Sequence, residues 1–161
     1  MSLIALLYIS CNLVLDTNCC NSDFVLIPMQ QKIPLFQDGK VTQYIINDTV
    51  TENYFIGSVY SIDGEYAYIK GGYAFDTTLI EGWIKTDYIG TYTILDDKIP
   101  LYVSPDYGSQ MVFIDNPEWY PLKIIKCYSD WIYVHYIDQY QSLHGWLPKE
   151  YQCANPYTTC N

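Results

Sequence analysis

Eight residues occur twice in related form: EGWIKTDY, from Glu81 to Tyr88, and HGWLPKEY, from His144 to Tyr151. Each copy runs Gly-Trp, an apolar residue, two further residues, an acid and Tyr. Two more landmarks recur in the same order. IPLF begins at Ile33 and IPLY at Ile99, 66 residues on; GEYAYIK (Gly64–Lys70) matches SDWIYVH (Ser129–His135), 65 on; Gly145 follows Gly82 by 63. Three landmarks kept in order with so little drift mark an internal duplication, and a duplication confines the fold to two copies of one small unit.

Each copy reads as β-structure. TQYIIND, FIGSVYSI and EYAYIK in the first, and QMVFID, PLKIIKCY and WIYVHYI in the second, are rich in Tyr, Ile and Val and bounded by Asp, Asn and Gly. No stretch keeps a 3.6-residue apolar period over the length of a helix. Asp38-Gly39, Asp63-Gly64, Ser104-Pro105-Asp106 and Asn116-Pro117 supply turns. Several short strands in about 60 residues predict a small, partly open barrel in each copy.

The units resemble the bacterial SH3-like domain, a small barrel found repeated in exported bacterial proteins. In the second copy the resemblance rests on Leu101-Tyr102, the polar loop SPDYGS, Trp131-Ile-Tyr-Val134, and Gly145-Trp146-Leu147 with Tyr151. The first copy offers Leu35-Phe36, Tyr66-Ala-Tyr-Ile69, and Gly82-Trp83-Ile84 with Tyr88. It spans roughly residues 33 to 152, and neither copy holds the family's Asn-Val-Arg motif. The expected architecture is all-β: a lead-in over 1–32, one SH3-like barrel over 33–92, and a second with a C-terminal tail over 93–161. Gly82 and Gly145 are expected to allow a close backbone approach that a Cβ would block. Trp83 and Trp146 are expected to pack across the barrel ends, with an open indole face for a ligand as the competing reading.

Charge narrows the partners. The net charge is -10, and all eight basic residues are Lys, with no Arg. Nucleic acid binding needs phosphate neutralisation, which such a chain does not offer. Cationic, peptidic or neutral polar partners are the easier match.

The segment Leu3–Ile9 is apolar and is followed by Ser10-Cys11. It has the length of a signal-peptide apolar region and is too short to span a bilayer. The small residue before Cys11 resembles a lipobox, which would make Cys11 a lipidation site and attach the protein to a membrane. A buried strand or helix turn is the structural alternative. Six cysteines in a small chain point to an oxidising compartment, the periplasm or cell surface. Cys153 and Cys160 are the pair expected to lie close, while Cys19 or Cys20 could reach that tail or Cys127. With Cys11 lipidated, one thiol would remain free. No tight Cys/His spacing suggests a metal, and no cofactor is expected.

Function is sought in the aromatics: 18 Tyr, 5 Phe and 4 Trp. Strand alternation puts Ile132 and Val134 inward, leaving Trp131, Tyr133 and His135 on the opposite face. In the first copy Ala67 and Ile69 face in, and Tyr66 and Tyr68 face out. Such rings form a recognition surface or an interface with the sister unit; both readings stand. SPDYGS and NPEWY add Tyr107, Trp119 and Tyr120 beside Asp106, Asp115 and Glu118, a set suited to peptides bearing amines. Catalysis has little support. Cys127 with His135 or His144 is the only candidate nucleophile pair, no Gly-x-Ser-x-Gly elbow occurs, and KGGY lacks a phosphate loop's Lys-Ser/Thr. The expected function is therefore non-catalytic binding of a peptide, peptidoglycan fragment or protein at the bacterial cell envelope. The alternative is a structural or inhibitory, immunity-like protein that covers a basic partner.

Overall fold

A computed structural model describes residues 20–27, 32–48, 50–155 and 160. Cys11 and the apolar segment around it lie outside the described residues. The protein is all-β, with thirteen strands among the described residues: β1 (Ser22–Leu26), β2 (Ile33–Gln37), β3 (Lys40–Ile45), β4 (Phe55–Asp63), β5 (Tyr66–Tyr73), β6 (Ile80–Lys85), β7 (Ile89–Thr93), β8 (Lys98–Tyr102), β9 (Met111–Asp115), β10 (Leu122–Tyr128), β11 (Trp131–Ile137), β12 (Ser142–Leu147) and β13 (Gln152–Cys153). Short 3-10 helices, Thr86–Tyr88 and Lys149–Tyr151, follow β6 and β12.

The strands form one antiparallel sheet in the order β3-β2-β6-β5-β4-β1-β7-β10-β11-β12-β8-β9, with β13 added on β7. The order is a palindrome about the β1/β7 pair. Reading outward, β4, β5, β6, β2 and β3 on one side match β10, β11, β12, β8 and β9 on the other. The duplication is thus built into the sheet, down to its irregularities. β4 bulges between Val59 and Ser61, and β10 between Ile124 and Lys126, the same position 65 residues on. The β4–β5 turn has Gly64 at φ 57°, and the β10–β11 turn has Ser129 at φ 52°.

Two separately closed barrels are not what the ladders form. β7 pairs with β1 through Val25–Gly90 and Leu26–Ile89, and with β10 through Leu122–Thr91 and Lys123–Gly90. Because β7 spends both edges in this way, pairing runs from one half into the other and the sheet stays open. β1, which comes from the lead-in, borders β4 as β7 borders β10.

Binary patterning explains the packing. In β2 Ile33 and Leu35 are buried, and in β8 Ile99 and Leu101; Ala67 and Ile69 of β5 match Ile132 and Val134 of β11. These join Phe24, Phe55, Ile84, Tyr136 and Leu147 in one core spanning both halves. Pro34 and Pro100 lack an N–H, yet cost no ladder bond on the inner side: β2 meets β6 only at Phe36–Trp83, and β8 meets β12 only at Tyr102–Trp146. The central strands are covered on their second face too, where Val25 and Tyr92 pack with Cys153, Ala154 and Cys160.

Two disulfides lie among the described residues, Cys153–Cys160 and Cys20–Cys127, with Cα–Cα separations of 5.6 and 5.4 Å. The first fastens the tail over the centre of the sheet. The second ties the start of the described chain to β10, and the Cys20 N–H donates to the carbonyl of Tyr60 in β4. Such bonds fit an oxidising, exported location. Among the described residues no helix is long and apolar enough to cross a membrane.

Candidate functional site

The duplication places four aromatic side chains at equivalent points in each half. In the first, Phe36 (β2), Tyr66 and Tyr68 (β5) and Trp83 (β6) share the face turned away from the core. Phe36 and Tyr66 meet edge-on at 5.7 Å between ring centroids, and Tyr68 meets Trp83 at 5.4 Å. In the second, Tyr102 (β8), Trp131 and Tyr133 (β11) and Trp146 (β12) repeat this: Tyr102–Trp131 at 5.3 Å and Tyr133–Trp146 at 5.4 Å, both edge-on. Register explains the match, since Tyr68 lies directly across from Trp83 and Tyr133 across from Trp146.

Glycine lets these strands come together. A Cβ on Gly82 would lie 2.9 Å from Leu35 Cγ and from the Phe36 carbonyl oxygen; one on Gly145 would lie 2.9 Å from Leu101 Cβ and the Tyr102 carbonyl oxygen. Neither position has room for a side chain. The approach seats each following Trp beside the aromatic that follows IPL.

The two groups differ in what covers them. The first opens into a cavity of about 370 Å³ lined by Phe36, Tyr66 and Trp83, with Gly39 and Asp63 at its rim. In the second, Tyr107 lies over the rings, 4.7 Å from Trp131 and 5.9 Å from Tyr102, and its hydroxyl donates to Glu150 Oε2 at 3.0 Å. Partial burial of that hydroxyl, and then the bond to Glu150, raise its pKa above the usual tyrosine value. The cavity beside Trp146, about 460 Å³, is bounded by Pro105, Ile125 and Tyr128 and by Ile62 and Gly64 of the first half; it does not reach Tyr102 or Trp131.

Loop length accounts for the difference. β2 and β3 are joined by Asp38-Gly39 alone, at φ 50° and 72°, whereas β8 and β9 are joined by residues 103–110. The longer loop is tied by its own bonds: Asp106 N–H to Ser104 O, Gly108 N–H to Asp106 Oδ1, and Ser109 N–H to Asp106 O, at 2.7, 3.0 and 3.0 Å. Tyr107 sits at its apex.

Beside the rings the halves also diverge. Lys70 and Glu81 form an ion pair at 3.0 Å, with the Lys70 ammonium 6.0 Å from the Tyr68 ring centroid. Burial first, and then Glu81, raise the pKa of Tyr68. Their counterparts His135 and His144 face each other at 5.6 Å. Among the described residues, no group of three or more His, Cys, Asp or Glu is placed to hold a metal.

Of the side chains singled out in the sequence, Tyr66 and Tyr68 line or border the open group, and Tyr133 borders the covered one. Trp131 was expected to stand open. It does lie opposite the core, yet it is only 9% exposed, because Tyr102 and Tyr107 cover it. Trp119 and Tyr120 find their ring partners elsewhere. Trp119 stacks on Tyr92 of β7 at 4.6 Å and 7°, and Tyr120 stacks on Tyr136 at 5.6 Å and donates its hydroxyl to the Ile137 carbonyl. Cys127, bonded to Cys20, has no thiol to offer as a nucleophile. Phe36 and Tyr102 were not among the predicted site residues, although an aromatic after IPL or its twin is visible in both copies. No protein-family model, curated protein or solved structure matches the chain.

Proposed function

We propose that this is a non-catalytic binding protein of the bacterial cell envelope, built from two SH3-like units in one sheet, that holds a peptide, glycopeptide or protein segment in the groove of its first half. One observation carries the reading: Phe36, Tyr66 and Trp83 wall a cavity of about 370 Å³ that no loop among the described residues fills. Its walls are apolar and flat, suited to stacking on an extended segment or a ring, while the rim carries the carboxylate of Asp63. The net charge of -10 favours a neutral or basic segment over an acidic one. Signal-like and lipobox-like features around Cys11 would place the protein outside the cytoplasm, where the disulfides persist.

The test is co-sedimentation with bacterial sacculi, before and after protease has stripped them of attached protein. The wild type should pellet with one or both, and Trp83→Ala or Tyr66→Ala should lower retention at least tenfold, while Trp119→Ala should not. Loss on stripping would assign a protein target, and persistence a glycopeptide. No pelleting with either preparation, or pelleting indifferent to Trp83 and Tyr66, would overturn the reading.

A further inference from the structure

We infer that the first half's groove takes a tyrosine side chain presented on a tight turn by a partner protein, and that the loop of residues 103–110 is the chain's own copy of that ligand. The inference rests on the binding reading above and specifies the partner. It starts from the equivalence of the two aromatic groups. Phe36, Tyr66 and Trp83 correspond by register and spacing to Tyr102, Trp131 and Trp146. In the second half these positions receive a tyrosine: Tyr107 lies 4.7 Å from Trp131, edge-on to Tyr102, and hydrogen-bonded to Glu150.

The ligand-like character of the loop is visible in its bonds. Residues 104–109 form a small self-contained turn, with Asp106 capping Gly108 and the Ser109 hydroxyl donating to the Ser104 carbonyl at 3.1 Å. Tyr107 is 61% exposed overall, so the ring rests on Trp131 from outside and does not belong to the core. The loop is an addition to a hairpin that closes in two residues in the first half. A groove that has its occupant supplied in cis, beside a twin that no described residue fills, defines the shape and chemistry the twin accepts: a phenol ring laid against Tyr66 and edge-on to Phe36.

The acceptor side has a counterpart as well. Glu150 lies in the second 3-10 helix, and the matching residue of the first is Asp87. Asp87 is half paired, in an ion pair with Lys123 and with its side chain 66% exposed. It offers a carboxylate to a phenol hydroxyl at the price of sharing it with an ammonium.

The four tryptophans provide the readout, since Trp83 lines the open groove, Trp131 lies under Tyr107, Trp146 lines a separate cavity and Trp119 stacks on Tyr92. The experiment follows the four indole N–H signals of the intact ¹⁵N-labelled protein during titration with the blocked peptide Ser-Pro-Asp-Tyr-Gly-Ser. In the wild type, Trp83 should shift saturably. Trp131 should stay still. In Tyr107→Ala, Trp131 should shift too, and the peptide with Ala in place of Tyr should move neither Trp83 nor Trp131. Tyr107→Phe, which keeps the ring, should behave as the wild type. An unmoved Trp83 in a protein that still pellets through Trp83 would overturn the inference and leave the binding reading intact. An unmoved Trp83 together with no pelleting would remove both. An equal shift with the alanine peptide would also overturn the inference.

Discussion

Tyr107 and Trp131 lie with their ring centroids 4.7 Å apart and inclined at 58°, and that contact separates the two halves of an otherwise repeated molecule. Trp131 stands at the first position of β11, on the face that alternation turns away from the core. It is nevertheless buried, because a loop six residues longer than its counterpart brings a tyrosine down on it. Tyr66, at the equivalent position of β5, has no such cover among the described residues and lines an open cavity.

Tyr107→Ala should cost about 1 kcal/mol of stability, the scale of one partly exposed aromatic contact. Tyr107→Phe should cost less, since it removes only an exposed hydrogen bond to Glu150. Urea unfolding curves rank the two. Equal losses would mean that the hydroxyl holds the loop and not the ring.

Gly82→Ala and Gly145→Ala should each destabilise by about 1–3 kcal/mol, because the new methyl would overlap a carbonyl oxygen on the neighbouring strand. Gly39→Ala has open space around its Cβ but a left-handed backbone, and should cost about 1 kcal/mol. Urea midpoints measured for the three variants check the order.

Ser129 holds the left-handed conformation that Gly64 holds in the twin turn. Ser129→Gly should therefore stabilise by about 0.5–1 kcal/mol, and Gly64→Ser should destabilise by a similar amount. Thermal melts of both variants read the sign directly.

Removing the Cys20–Cys127 bond, which spans 107 residues, should cost about 4–5 kcal/mol in a chain-entropy view, against about 2 for the Cys153–Cys160 bond, which spans 7. Paired Cys→Ser variants, unfolded without reductant, give both values.

Several tyrosines should titrate late. Burial is the leading cause that raises the pKa of Tyr68, Tyr92, Tyr107, Tyr120 and Tyr136 above the ordinary value. A phenol with a raised folded pKa adds stability that is fully present below its unfolded pKa, near pH 10, and is lost as pH climbs through the folded value. Absorbance at 295 nm should resolve a late-titrating class in the folded protein that disappears in urea, with melting temperature falling as pH rises above about 10.

The all-β character, the duplication and the close approach at both Gly-Trp pairs could be read from patterns with a period of two and from repeated landmarks. Local rules reach that far because residues such as Ile132 and Val134 declare their face within one strand. The single open sheet could not be read. It depends on whether β7 pairs within its own half or with β10, and both choices bury the same alternating residues. The covering of Trp131 was hidden for a related reason: alternation says which way a ring points, and only the path of the 103–110 loop says what lies on top. Trp119 and Tyr120, neighbours in sequence, diverge because one faces Tyr92 and the other Tyr136.

The contrast between an open first groove and a filled second one is tested most directly by solvent paramagnetic broadening of the indole ring signals with a neutral gadolinium chelate. In the wild type, Trp83 should broaden markedly and Trp131 should resist; in Tyr107→Ala the two should broaden alike. Equal broadening of Trp83 and Trp131 in the wild type would contradict the account.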